Sequence, residues 1–242
     1  MAASGPSVGG SLAGATIAFD LDGTLVDTAP DLIGTLNMIL AEEGLPALAL
    51  DTARPFIGHG ARWLIARGFE AAGSRLHPER VQVLFDRFIA RYRARIAQES
   101  RPFPGCEAAL DALSGAGATL AVCTNKPTGL SMALLEALGL ASRFAAIIGP
   151  DSAPAAKPDP RHLQAAVAAA GGAMERAILV GDSATDVGAA RAAGAGLILV
   201  SFGYTEVAAA DLDHDALIDR YDQLPDACAR LLAACGAGRQ PL

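Results

Sequence analysis

Asp20-Leu21-Asp22-Gly23-Thr24 sets two carboxylates two residues apart, directly after the apolar run Thr16-Ile17-Ala18-Phe19. In extended chain, residues two apart point to the same side, so Asp20 and Asp22 can face one cleft at the end of a strand. Such a pair repels itself, and burial raises the cost. A cation must compensate, or one carboxyl must hold a proton. The plain structural alternative is a solvated Asp-Gly turn that only ends the strand. A second acidic set, Gly181-Asp182-Ser183-Ala184-Thr185-Asp186, follows the apolar Ile178-Leu179-Val180 and opens a helical pattern. Thr185 or Asp186 could cap that helix, but Asp182 has no such use. Asp20, Asp22 and Asp182 together would form a hard, all-oxygen pocket. Mg²⁺ takes that ligand set, with water and a substrate phosphate completing its shell.

Two other run ends supply complementary groups. Thr124-Asn125-Lys126-Pro127 offers a hydroxyl, an amide and free backbone N–H groups at a helix start, which suit a phosphate. In Lys157-Pro158-Asp159-Pro160 the prolines stiffen the chain and start a helix. A lysine held there would act as a point charge on phosphate oxygens.

Positioning these groups requires strand ends brought side by side. Besides residues 16–19 and 177–180, apolar runs lie at 119–123, 145–148 and 197–200, with a shorter candidate at 216–218. Helical patterns at 131–138, 162–170 and 185–193, each closed by glycine, separate most of them. This alternation predicts an α/β fold, a Rossmann-like doubly wound parallel sheet covered on both faces. Residues 28–97 break the rhythm. Leu32, Ile33, Leu36, Ile39 and Leu40 share one helix face, and Val81, Leu84, Phe85, Phe88, Ile89, Tyr92 and Ile96 form a longer stripe. The expected organisation is a tail at 1–13, an α/β core at 14–27 and 98–242, and a helical insert at 28–97. Arg87, Arg91, Arg93 and Arg95 read as the solvated face of the long helix. The segment after Pro225 reads as helix.

The bulk properties narrow the partners. Of 242 residues, 52% are hydrophobic and 19% charged, a globular composition. No run reads as a membrane span. The first 19 residues carry no charge but hold four glycines, three serines and a proline, so they make a poor signal peptide. The formal net charge of −7 disfavours nucleic acid and anionic membrane as partners. Cys106, Cys123, Cys228 and Cys235 form no paired motif and read as thiols in a reducing cytoplasm.

Taken in order, Asp20 to Thr24, the Thr124 strand end, Lys157 and Gly181 to Asp186 resemble the four motifs of the haloacid dehalogenase superfamily, over about Thr16 to Ser201. Within it the chain is most similar to the phosphoglycolate phosphatase branch. That finer resemblance lies in Asp20 to Thr28, Gly58 to Arg62, Phe103 to Gly105, Thr124 to Lys126 and Val180 to Ser183.

The resemblance implies a cap domain at 28–97 and a small phosphorylated metabolite, 2-phosphoglycolate, as substrate. It further implies that Asp20 attacks phosphorus to form an aspartyl-phosphate and that Asp22 serves as acid and then base. Mg²⁺ would be held by Asp20, the Asp22 main-chain carbonyl and Asp182. Thr124, Asn125 and Lys157 would hold the phosphate, and Asp186 would orient the metal's water or Lys157.

In the cap, His59 lies between two glycines and could approach a ligand, and Arg62 could meet a substrate carboxylate. A loop histidine and a helix-face arginine are the plainer readings. Asp22 argues against a dehalogenase, which has no alkoxide to protonate. An insert without lysine argues against Schiff-base phosphonate hydrolysis. A sugar-phosphate phosphatase or mutase, or a non-catalytic phospho-ligand module, would share parts of the pattern.

Overall fold

Thr16-Ile-Ala-Phe is apolar toward both faces, and it forms a wholly buried strand, β1 (Thr16–Phe19). The computed structural model describes residues 12–205 and 207–237. Most of the tail expected at 1–13 lies outside these residues, as does the Cys235 side chain. The chain continues through β2 (Val26–Asp27), α1 (Ala29–Glu42), the short α2 (Leu50–Ala53), α3 (Ala61–Ala71), α4 (Pro78–Ala94) and β3 (Arg101–Pro102). It then alternates through α5 (Cys106–Gly115), β4 (Thr119–Cys123), α6 (Thr128–Ala137), β5 (Ala146–Ile148), α7 (Pro160–Ala169), β6 (Ala177–Gly181), α8 (Ala184–Ala193) and β7 (Gly196–Val200). It closes with β8 (Ala216–Ile218) and α9 (Leu224–Ala237).

Six of the strands form one parallel sheet in the order β5-β4-β1-β6-β7-β8. Its faces are covered separately because side chains alternate along each strand. Ile17 and Phe19 pack with Leu110 and Leu113 of α5 and Leu224 and Cys228 of α9. Ala18 faces the other way, toward Leu163 and Val167 of α7 and Ala189 of α8. The chain order reverses direction across β1, and ligands of open α/β sheets bind at such a point, beyond the carboxyl ends of the strands. Phe19 is level with Val122 of β4 and Val180 of β6. The residues that follow these three strands therefore emerge side by side.

Among the described residues, those between β2 and β3 form no strand. Leu36 and Leu40 of α1, Leu64 and Ile65 of α3, and Leu84 and Phe88 of α4 make a separate apolar cluster. Gly68 permits the close crossing of α1 and α3, since a Cβ there would lie 2.7 Å from a Leu36 methyl. Of the arginines expected on a solvated face, Arg93 is exposed, while Arg87 and Arg91 are partly exposed and ion-paired to α1. Arg87 pairs with Glu42 and Glu43, Arg91 with Glu42, and Arg80 with Glu43 at 2.8 Å. They meet these acids because the last turn of α1 runs beside α4. Such partly exposed pairs align helices, at about 1 kcal/mol or less each.

The two crossings between core and insert are fastened together. β2 and β3 pair antiparallel, Val26 to Pro102 and Asp27 to Arg101. Asp31, buried in the first turn of α1, accepts from the Glu99 N–H at 2.9 Å, the Ser100 N–H at 2.8 Å and the Ser100 hydroxyl at 2.7 Å.

Candidate active site

β1 ends at Asp20. Its own N–H donates to the Val180 carbonyl at 2.9 Å, which locks the residue to the end of β6. The Leu21 N–H donates to Asp20 Oδ1 at 2.6 Å, and Oδ2 lies 3.0 Å from the Lys157 ammonium. Lys157 also donates to Asp186 Oδ1 at 2.6 Å. Burial works against the charge on Lys157, but Asp186 and Asp20 outweigh it and hold its pKa above the ordinary lysine value.

The loop carrying Lys157 is set by two side chains. Its backbone N–H is shared between Asn125 Oδ1 at 2.9 Å and His162 Nδ1 at 3.0 Å. His162 is wholly buried in the first turn of α7. Burial, and then the Lys157 charge, push its pKa down to about 4, so the ring is neutral and free to accept.

Asp182 follows β6. The Thr24 hydroxyl donates to Oδ1 at 2.9 Å and the Tyr204 N–H to Oδ2 at 2.7 Å. Gly23 and Gly203 line this carboxylate. A Cβ at Gly203 would overlap the Asp182 side chain, and one at Gly23 would come within 2.6 Å of Oδ2. Asp186 closes the group from the first turn of α8. Its Oδ2 accepts from the Asp182 N–H, the Ser183 N–H and the Ser183 hydroxyl, which completes a capping box.

Asp20, Asp182 and Asp186 thus bring carboxylate oxygens within 4.8 Å of one another, all three buried. Asp186 accepts four bonds, from Lys157 and the helix cap, whereas each oxygen of Asp20 and Asp182 meets a single donor and keeps a lone pair for a cation. Burial raises the pKa of each, in Asp182 aided by the charges of Asp20 and Asp186 and in Asp20 opposed by Lys157. A buried, all-oxygen pair whose charge is under-compensated fits Mg²⁺.

Asp22 turns away from this cluster. Its carboxylate oxygens lie 2.9 and 3.1 Å from the ammonium of Lys126, which is 5% exposed and 4.5 Å from the centre of the Tyr92 ring on α4. Sequence reasoning gave Lys126 no role of its own, yet composition held a signal. The chain has two lysines against seventeen arginines, and both lysines are buried here.

The cleft lies between these strand ends and the helical insert. Asp20, Asp22, Thr124 and Lys126 line its floor, and Leu32, Ile57, Leu64 and Phe88 its opposite wall. Two expected groups are not brought to it. Gly58 and Gly60 line the cleft with backbone, while the His59 side chain between them is exposed and packs tilted against Trp63, ring centres 5.3 Å apart. Arg62 lies on the outer side of α3, over Phe85 at 4.1 Å and bonded to Gln82 at 2.6 Å. Asn125 reaches the cleft, but its amide is spent on main chain, donating to Gly58 O at 3.3 Å and Lys157 O at 3.2 Å. It ties insert to core. The Thr124 hydroxyl accepts from the Lys126 N–H at 3.2 Å.

A model of the haloacid dehalogenase-like hydrolases matches residues 17–200. Proteins named phosphoglycolate phosphatase from Caulobacter vibrioides and Agrobacterium fabrum are 57% and 47% identical, over 93% and 90% of this chain and 95% and 94% of their own. A crystal structure described as a predicted phosphoglycolate phosphatase from Haemophilus somnus is 30% identical and superposes with a TM-score of 0.82, covering 89% of this chain and 97% of that one. CbbY from Rhodobacter sphaeroides, solved in complex with phosphate, is 25% identical with a TM-score of 0.72, covering 86% and 95%. No helix among the described residues is long and apolar enough to cross a membrane.

Proposed function

We propose that this chain, which belongs to the haloacid dehalogenase-like hydrolase family, hydrolyses 2-phosphoglycolate to glycolate and phosphate. The observation that carries the reading is the setting of Asp20. It is buried at the central strand end between the Lys157 ammonium and the Leu21 N–H, with Asp182 beside it.

An Asp20 oxygen attacks phosphorus, the bond to the ester oxygen breaks, and an aspartyl-phosphate forms. Asp22, which lines the same cleft, gives its proton to the departing alkoxide. It then takes a proton from the water that attacks the aspartyl-phosphate, which releases phosphate and restores Asp20. Lys157 offsets negative charge on Asp20 and on the phosphoryl oxygens, while Asp186 and His162 hold Lys157 in place. Mg²⁺ would be held by Asp20, Asp182 and the Asp22 main-chain carbonyl, where it supplies Lewis-acid charge to a phosphate oxygen.

The cleft wall favours a small acid over a sugar. Leu32, Ile57, Leu64 and Phe88 offer no partner to a row of sugar hydroxyls, and hydroxyls buried unpaired cost about 1–3 kcal/mol each. The curated relatives carry the same substrate in their names. The test is phosphate release with Mg²⁺ from 2-phosphoglycolate, hexose phosphates and nucleoside monophosphates. 2-Phosphoglycolate should lead by at least about tenfold in kcat/KM, and chelation should abolish release. A hexose phosphate in first place would refute the substrate assignment and leave the phosphatase chemistry standing.

A further inference from the structure

We propose that Lys126 selects the substrate by taking the carboxylate of the small phosphorylated acid, while Asp20 takes its phosphorus. This deepens the reading above and rests on it. Among the described residues, no arginine lines the cleft, so its recognition of a second anionic group falls to the two lysines. Lys157 is already engaged at the phosphate end, 3.0 Å from Asp20 Oδ2 and 2.6 Å from Asp186 Oδ1. Lys126 is the other one.

Its position suits the geometry of such an ester. The ammonium lies 2.9 and 3.1 Å from the oxygens of Asp22, the group that must meet the ester oxygen of the substrate. In 2-phosphoglycolate the carboxylate is separated from that oxygen by one methylene. A substrate whose ester oxygen rests against Asp22 therefore carries its carboxylate into reach of the same ammonium. An ammonium has three donors, so Lys126 can bond a carboxylate oxygen without abandoning Asp22.

The site is also built rather than incidental. Lys126 is buried against Tyr92 of the insert on one side and Asp22 of the core on the other. A buried ammonium is costly unless it is paired. Its surroundings recruit both units of the molecule, so the selecting charge is complete only where insert and core meet. The apolar wall opposite supplies no rival site for the carboxylate.

The competing account is that Lys126 serves only as counterion to Asp22. Two phosphonates separate the accounts, because neither has an ester oxygen to protonate. 3-Phosphonopropionate keeps the carboxylate of the substrate, and n-propylphosphonate replaces it with a methyl. Calorimetry with Mg²⁺ should show the wild-type protein preferring 3-phosphonopropionate by roughly 10- to 100-fold. Lys126→Met should erase that preference and leave n-propylphosphonate binding within about threefold. Equal weakening of both ligands, or an unchanged preference, overturns the proposal.

Lys126→Met removes the cationic partner of Asp22. The same comparison is therefore also made between the wild-type protein and Asp22→Asn/Lys126→Met, in which neither member of the pair is left without its partner. Turnover locates any failure. If the wild-type protein hydrolyses 2-phosphoglycolate no faster than ethyl phosphate, the substrate reading falls and Lys126 with it. If it favours 2-phosphoglycolate and Lys126→Met keeps that favour, only the Lys126 proposal falls.

Discussion

The backbone N–H of Tyr204 lies 2.7 Å from Asp182 Oδ2, so this tyrosine anchors one of the two carboxylates available to a cation. Its side chain reaches the joint of the insert. The hydroxyl donates to Asp27 and accepts from the Ala29 N–H at 3.1 Å, where α1 begins. Arg54, from the insert, stacks over the same ring at 5.3 Å and lies 3.7 Å from Asp27. One residue thus links the carboxylate cluster to the hinge on which the apolar cleft wall is hung.

Tyr204→Phe should separate those two roles. The variant keeps the backbone donor to Asp182 and the ring under Arg54. It loses the hydroxyl, leaving the Ala29 N–H and Asp27 short of a partner. We expect a stability loss of about 1–2 kcal/mol, a rise in KM of several-fold, and Mg²⁺ affinity within about threefold of wild type. Urea unfolding, steady-state kinetics and calorimetry read the three quantities. A large fall in Mg²⁺ affinity would mean that the hydroxyl, and not the backbone, holds Asp182 in place.

Asp20→Asn and Asp22→Asn should fail differently. In Asp20→Asn the carboxamide cannot form the acyl phosphate, so turnover should fall on the order of 10⁵-fold for every substrate, with the fold retained. Retained Mg²⁺-dependent phosphate release in that variant would sink the covalent mechanism. Asp22→Asn removes the proton donor, a loss of about 10²- to 10⁴-fold on 2-phosphoglycolate. Formation of the aspartyl-phosphate from p-nitrophenyl phosphate should suffer less, because nitrophenolate leaves without a proton. A rapid-mix burst of nitrophenolate is the readout, and equal losses of this step on both esters would remove Asp22 from the acid role.

Gly203→Ala tests the cation site by shape alone. The added methyl would overlap the Asp182 side chain, and Asp182 would have to shift from its bonds to Thr24 and Tyr204. Mg²⁺ affinity should fall by about tenfold or more, as it does when groups supporting a ligand are lost. Binding followed by calorimetry, with no substrate present, measures this directly. Unchanged affinity would place the cation elsewhere in the cleft.

The elements and site residues differ in how plainly the sequence announced them. β1 and β4 occupy the runs read for them, because a strand buried on both faces is a continuous apolar stretch that needs no partner to be recognised. The starts of α6 and α7 lie two or three residues earlier than periodicity indicated. Their first turns hold Pro, Thr and Gly, which contribute nothing to an apolar stripe. β2 and β3, two residues each, have no pattern to read.

Asp20, Asp22 and Asp182 were legible because they follow β1 and β6 closely, and strand ends converge by topology; Lys157, in the loop between β5 and α7, stood out by the prolines beside it. Tyr204, His162 and the pairing of Lys126 with Asp22 were not. Each depends on which loop meets which, and Lys126 and Asp22 are 104 residues apart. His59 and Arg62 show the converse. Their residue types fit a ligand role, but the side of the loop and of α3 on which they lie is fixed only by packing.

The buried His162 gives acid instability with a defined sign. Its folded-state pKa is about 4 against an ordinary 6.5. Above about pH 6.5 the ring is neutral in both folded and unfolded protein, and it adds no pH dependence. Between 6.5 and 4 the unfolded chain takes up a proton that the folded chain refuses, so stability falls as pH falls. The full loss is about 3 kcal/mol, of which about 2 kcal/mol has accrued by pH 5. His162→Asn keeps an acceptor near Nδ1 for the Lys157 N–H and cannot titrate in this range. The fall in unfolding free energy from pH 7.5 to pH 5 should therefore be smaller in the variant by about 2 kcal/mol. Both proteins carry the same carboxylates, whose own pH dependence cancels in that difference. Denaturant titrations at the two pH values measure it, and equal falls would show that His162 is protonated inside the folded protein.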